Sequence, residues 1–162
     1  LYLLGDFGVE IRKDRPVLIG RRGPVGIGDW RDRKLPFYGG AVSYRYRIQT
    51  AAKPGERLLL SAARMKGAVA RILVDGVEAG ISAWPPYEVD LTGRLNGTDQ
   101  ELTVEVFGTR RNTFGPLHFT DPDPPAIGPT HFVSEGDKWT DRYVLKPAGL
   151  LAHPTLILQT RI

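Results

Sequence analysis

The chain has 162 residues, of which 41% are apolar, and a formal net charge of +4 at pH 7. This length and apolar content predict one compact domain and exclude a disordered or fibrous chain. No segment approaches the roughly 18 apolar residues of a membrane-spanning helix. The arginines are dispersed and do not form the basic stripe of a nucleic-acid surface. We therefore expect neither nucleic acid nor a membrane as a partner.

The ends and the cysteine content bear on the context of the domain. The numbering starts at Leu1 and the only methionine is Met65, so we expect residues 1–162 to be a single β-sandwich domain and a fragment of a larger multidomain protein. A chain without cysteine fits reducing and oxidising compartments alike. Localisation stays open, with a lean towards secretion.

Glycine and proline determine the predicted fold class. The 19 glycines and 13 prolines are spread along the chain and would interrupt helices longer than two turns, whereas short strands fit between them. Nine or ten segments have strand-like patterns: 2–11, 17–19, 42–49, 57–62, 68–74, 77–81, 87–91, 101–107, 143–145 and 155–160. We predict an all-β jelly-roll sandwich.

Two segments give the sharpest local predictions. Residues 42–49 alternate apolar and polar side chains, which is typical of a strand with one buried face. Asp75-Gly76 stands between apolar segments, and this pair favours the positive φ angles of a two-residue hairpin turn.

Several motifs resemble the galactose-binding-domain-like jelly roll of the sugar-binding domains of family 2 glycoside hydrolases. They are 72–80 (ILVDGVEAG), 86–92 (PYEVDLT) and 95–97 (LNG). Residues 2–7 (YLLGDF), 35–40 (LPFYGG) and 111–118 (RNTFGPLH) are similar to the β-sandwich of large rhamnosidase-like glycosidases. The resemblance implies a sugar-binding or accessory domain and a catalytic domain as partner. Thr98-Asp99-Gln100 departs from the family's asparagine, so we expect a looser corner there.

Aromatic side chains are the first candidates for carbohydrate contact, because rings stack on the apolar faces of sugars. Trp30, Trp84 and Trp139 lie in loop-like segments, and Trp84, before two prolines, is the best stacking candidate. Tyr38, in the LPFYGG motif, joins them. The alternative is that each tryptophan fills a sandwich edge or meets a neighbouring domain.

The segment after the 101–107 strand is the second candidate. Arg110, Asn112 and His118 could supply hydrogen bonds to sugar hydroxyls or to a carboxylate. The alternative is that Arg111 and Asn112 satisfy loop backbone groups while Phe114 and Leu117 pack beneath.

Catalytic and metal sites have weaker signals. A glycosidase would need two facing carboxylates, and Glu88, Asp90, Glu101 and Glu105 all lie on or beside strands, where surface roles are ordinary. The three histidines are too far apart in sequence for a zinc motif. We expect no cofactor except a structural calcium ion, which folds of this kind often hold, with Asp6, Asp121 and Asp123 as its ligands.

The sequence thus predicts a non-catalytic carbohydrate-binding or accessory domain of a multidomain glycoside hydrolase. Two alternatives stay open. The domain could be a structural buttress that packs on a catalytic domain without binding sugar, or a glycosidase that uses paired carboxylates.

Overall fold

The computed structural model describes residues 3–20 and 23–160, whose regular secondary structure is almost entirely antiparallel β. The strands are β1 (Phe7–Arg12), β2 (Arg15–Gly20), β3 (Ala41–Ile48), β4 (Glu56–Ser61), β5 (Met65–Lys66), β6 (Val69–Val74), β7 (Val77–Ser82), β8 (Glu88–Asp90), β9 (Gln100–Phe107), β10 (Gly149–Leu150) and β11 (Thr155–Thr160). The helical pieces are one turn each: α1 (Arg111–Phe114) and the 3₁₀ turns Trp30–Arg33 and Pro129–His131. In the described part, no helix is long and apolar enough to cross a bilayer.

Two sheets form the sandwich. One has four strands in the order β3-β9-β6-β7, and the other has three in the order β11-β4-β8. A β1-β2 hairpin and a short β5-β10 pair complete the structure. This architecture confirms the predicted all-β sandwich.

The core lies between the two sheets because inward positions alternate along their strands. The four-stranded sheet contributes Tyr44, Ala70, Ile72, Val74, Leu102, Val104 and Val106, all buried. From the facing sheet come Leu58 and Leu60, while Leu59 is buried on the opposite face of the same strand. β4 is therefore covered on both faces, as its continuous leucine run predicts.

The predicted hairpin is present. Asp75 and Gly76 have φ angles of 49° and 79°, and Val74 pairs with Val77 across the turn. Asp75 Oδ2 also accepts a hydrogen bond of 2.8 Å from Gln100 Nε2, and Gln100 Oε1 accepts one of 2.8 Å from the Asn96 amide. Gln100 therefore joins the corner to the hairpin, and a corner looser than that of the family stays a prediction.

Three other predictions need correction. The segment 143–145 is not a strand, since Val144 donates its amide to the Leu117 carbonyl in a loop at 2.7 Å and continues no ladder. The first strand begins at Phe7 rather than at residue 2, which lies outside the described residues. The two-residue strands β5 and β10 went unpredicted because they are too short to show a period of two.

Candidate functional site

Trp30 is a core residue. Its side chain is 0% exposed, and its indole Nε1–H donates a 2.7 Å hydrogen bond to the Tyr44 hydroxyl. The backbone is fixed by hydrogen bonds from the Gly28 amide to Leu150 and from the Trp30 amide to Ala148. A sealed ring cannot stack on a sugar, so the prediction of ligand contact for Trp30 is wrong. The glycine-rich sequence predicted a loop but could not show that the loop folds back over the core.

Trp84 lies on the surface. Its side chain is 76% exposed, just after β7, and its carbonyl accepts the amide of Tyr87 to close a turn through Pro85 and Pro86. Ile81, on β7, is also exposed. The ring of Trp84 is free to meet a ligand or another protein, and its role in stacking stays a prediction.

Trp139 is partly covered. His118 stacks on its ring with a centroid distance of 4.5 Å and an interplanar angle of 26°. The indole Nε1–H donates to Asp141 Oδ1 at 3.2 Å, and His118 Nδ1 lies 2.9 Å from the Thr140 carbonyl oxygen. The Tyr143 ring also packs against the imidazole, with the two ring centroids 4.7 Å apart. Trp139 and His118 therefore stabilise each other, and a sugar would have to compete with that contact.

Asn112 binds the backbone of its own protein. Its Nδ2 donates to the Lys146 carbonyl and its Oδ1 accepts from the Lys146 amide, both at 2.8 Å, and the side chain is buried. The ligand-binding prediction for Asn112 is therefore wrong, because both ends of the amide are already used. Arg111 Nη1 similarly donates to the Pro116 carbonyl at 3.4 Å, and burial lowers the pKa of Arg111. The structural alternative holds for both residues.

Tyr38 and Arg110 do come together, in a groove beside α1. We name it the Tyr38 groove; it has a volume of about 450 Å³, and the lining residues that matter here are Leu3, Leu4, Tyr38, Arg110, Thr113 and Phe114. Tyr38 contacts Trp30 edge-on at 5.7 Å, so the core supports one wall of the groove. Arg110 is exposed, and within residues 3–20 and 23–160 its guanidinium has no hydrogen-bond or ion-pair partner.

Polar atoms along the groove are largely satisfied within the protein. The Tyr38 hydroxyl donates to the Ala41 carbonyl at 3.0 Å, and Thr113 Oγ1 donates to the Phe37 carbonyl at 2.9 Å. Lys34, at the rim, lies 3.6 Å from Glu10. Arg110 is thus the lining side chain whose polar group is most open to a partner.

Leu3, Leu4 and Phe114 also border this groove. The sequence predicts a strand over Leu3 and Leu4, and packing beneath the loop is one of two alternatives for Phe114. The signal was present in part: two consecutive leucines before Gly5 cannot both face the core from one strand.

Two of the four candidate catalytic carboxylates are held in short ion pairs with arginine. Asp90 lies 2.8 Å from Arg57 and Glu105 lies 2.6 Å from Arg71. Hydrogen bonds from Thr92, followed by the Arg57 guanidinium, lower the pKa of Asp90 to about 2. A general acid instead needs a raised pKa.

The remaining two acids do not complete a pair either. Glu101 is 3.9 Å from Arg45. Glu88 is on β8 of the three-stranded sheet, whereas Glu105 is on β9 of the four-stranded sheet. Glu88 and Glu105 therefore lie on strands of different sheets.

The three predicted calcium ligands do not form a donor set. Asp123 is 2.6 Å from Lys146, whose ammonium lowers the pKa of the carboxyl group, and Asp121 Oδ1 accepts the Asp123 amide. Among the described residues, Asp6 included, no three acidic or histidine side chains lie close enough to share a metal ion. A calcium ion held in part by backbone carbonyls stays a prediction.

Comparisons with known proteins give structural relatives only. No family model and no curated protein matches the chain. The rhamnosidase from Novosphingobium sp. PP1Y matches with a TM-score of 0.54 and 20% identity, over 94% of this chain and 14% of the rhamnosidase. A Faecalibacterium prausnitzii β-glucuronidase matches with a TM-score of 0.48 and 19% identity, over 90% of this chain and 26% of the enzyme.

A β-D-glucuronidase of Dictyoglomus thermophilum has a TM-score of 0.47 and 17% identity, over 96% of this chain and 27% of the enzyme. The chain therefore spans between 14% and 27% of the length of these solved chains. The likeness to the rhamnosidase shows a shared β-sandwich fold. The finer galactose-binding-like topology stays a prediction.

Proposed function

We propose that the chain is a non-catalytic accessory domain of a larger glycoside hydrolase. The observation that carries the proposal is the match of 94% of this chain to a part that makes up only 14% of a rhamnosidase. A fold that forms a minor part of such an enzyme is well suited to accompany a catalytic domain, although a shared fold does not by itself fix a function.

The carboxylates support the non-catalytic part of the proposal. Asp90, Glu101 and Glu105 each lie within 4 Å of an arginine side chain, and such pairing stabilises the ionised form. The experiment is an assay of the purified chain on a panel of aryl glycosides that includes rhamnosides and glucuronides. We expect no turnover above the blank. Turnover that disappears in Glu88→Gln or Glu105→Gln would overturn the proposal.

Packing against the catalytic domain is the primary role within this proposal. The hydroxyls of Tyr38 and Thr113 are used by backbone carbonyls, and large apolar side chains border the same groove. Sugar recognition needs free hydrogen-bonding groups beside an aromatic ring, whereas an interdomain face needs apolar area. The Tyr38 groove has mainly the second property.

Carbohydrate contact through Trp84 is the second candidate function, favoured by the 76% exposure of this side chain. One stacking ring supports only weak binding, in the micromolar to millimolar range. Calorimetric titration with neutral and galactose-containing oligosaccharides tests it, with Trp84→Ala as the variant and Leu158→Ala as the control at another exposed apolar side chain. Binding that Trp84→Ala removes and Leu158→Ala retains supports the role. No heat from any saccharide, or equal binding by both variants, contradicts it.

A further inference from the structure

Resting on the proposed function, we propose that the Tyr38 groove is the surface that docks on the rest of the glycoside hydrolase. Its occupant is an apolar polypeptide segment carrying an aspartate or glutamate that pairs with Arg110.

The first argument is the exposed apolar area around one concavity. Leu3 and Leu4 are 61% and 97% exposed, and Tyr38 and Phe114 are 38% and 48% exposed. Single exposed apolar side chains are ordinary on protein surfaces. Four of them bordering the same groove resemble the apolar centre of an interface, because water on such a patch is released when a partner covers it.

The second argument concerns the shape of the groove, which is already formed. Tyr38 is held by its contact with the buried Trp30 and by its hydrogen bond to Ala41, and Thr113 ties α1 to Phe37. A preformed groove loses little conformational entropy on binding. A chain segment can therefore enter it without rearrangement of the sandwich.

The charges identify the chemistry of the partner. Lys34 and Arg110 are the charged side chains among the residues that line the groove, and both are cationic. Glu10 lies 3.6 Å from Lys34, but no acid of the described residues forms an ion pair with the Arg110 guanidinium. Covering an unpaired guanidinium with apolar atoms costs several kcal/mol. A docked segment must supply a carboxylate, and a carboxylate can bind both edges of the guanidinium fork.

A labelling experiment on the complete natural protein tests the docking surface. This chain has no cysteine, so Phe114→Cys and Leu158→Cys each introduce one thiol into it at positions that are 48% and 55% exposed. Leu158 lies on β11, in the three-stranded sheet and outside the groove, and provides the control. Mass spectrometry measures the rate at which maleimide modifies the peptide that contains each introduced cysteine. This rate is divided by the rate for the same peptide in urea, where the protein is unfolded.

We expect the normalised rate at position 114 to be at least about tenfold below that at position 158, because burial in an interface removes access to solvent. Equal rates at the two positions overturn the proposal. Slow labelling of Trp84→Cys together with fast labelling of Phe114→Cys also overturns it, since the docking surface is then the Trp84 face. Protection at position 114 that requires phosphatidylserine vesicles, or that increases with protein concentration, assigns the groove to a membrane or to a second copy and overturns it as well.

Charge reversal tests the predicted acidic partner. In the Phe114→Cys background we expect Arg110→Glu to raise the labelling rate about tenfold, whereas Arg110→Lys leaves most of the protection. Arg94→Glu is the matched control, because Arg94 is exposed and lies in the corner between β8 and β9, outside the groove. If Arg110→Glu leaves the labelling rate at position 114 unchanged, the docked segment does not carry a carboxylate that pairs with Arg110, and this part of the proposal is wrong. The proposed function fails separately, if the complete protein hydrolyses no glycoside.

Discussion

Asn112→Ala is the substitution that best separates a structural role from ligand binding in the segment after β9. It removes two hydrogen bonds of 2.8 Å to the backbone of Lys146, 34 residues away in sequence. Each contributes about 1 kcal/mol, and a backbone group left without a partner adds a further penalty. We expect a loss of about 2 to 3 kcal/mol in the free energy of unfolding. The melting temperature then falls by about 4 to 12 °C for a chain of this size.

Urea unfolding followed by circular dichroism measures this loss, and Asn112→Asp supplies an internal check. The introduced carboxyl group still accepts from the Lys146 amide, but when ionised it cannot donate to the carbonyl. Its pKa is raised in the folded state, so the penalty is absent at low pH and grows as the pH rises above about 4. A change below about 0.5 kcal/mol in Asn112→Ala, combined with loss of saccharide binding, would refute the structural assignment.

Three further substitutions test other parts of the structure. Trp84→Ala should change the free energy of unfolding by less than about 0.5 kcal/mol and should remove most of the acrylamide-quenchable tryptophan fluorescence. Gly80→Ala should cost about 1 to 3 kcal/mol in urea unfolding, because the added Cβ would lie 2.6 Å from a methyl carbon of Val89. Hydrogen bonds from Thr92 and the Arg57 guanidinium hold the pKa of Asp90 at about 2, below the ordinary 3.8 of an aspartate, so its stabilisation is present above about pH 4 and is lost as the pH falls towards 2. The urea concentration at the midpoint of unfolding should therefore fall less between about pH 4 and pH 2 in Asp90→Asn than in the unsubstituted chain.

The fold could be predicted where neighbouring residues determine the structure. β3 alternates exposed polar side chains with more buried apolar ones, and β9 places Leu102, Val104 and Val106 in the core, so a period of two in the sequence identifies both strands without tertiary information. Asp75-Gly76 defines its own turn because both residues adopt positive φ angles. The order of the strands within each sheet had no such local signal.

The site could be predicted only in part, because its decisive contacts are distant in sequence. Trp30 is buried through hydrogen bonds with Tyr44 and with the Ala148 backbone, and nothing near residue 30 indicates them. Asn112 finds its partner at Lys146 in the same way. The sequence offers Tyr38 and Arg110 only as separate candidates for ligand contact. Their common groove, and its apolar character, depend on the fold and on leucines near the start of the chain.

The central claim is that this sandwich accompanies a catalytic domain without supplying catalytic groups. The most direct measurement compares the complete natural protein with a form lacking residues 1–162, using kcat on its preferred glycoside and the melting temperature of the catalytic domain. The account predicts a melting temperature several degrees lower and a kcat within about threefold at a temperature where both forms are folded, since no reacting group is lost. A form lacking residues 1–162 that keeps the melting temperature of the catalytic domain but has no measurable kcat would contradict this claim.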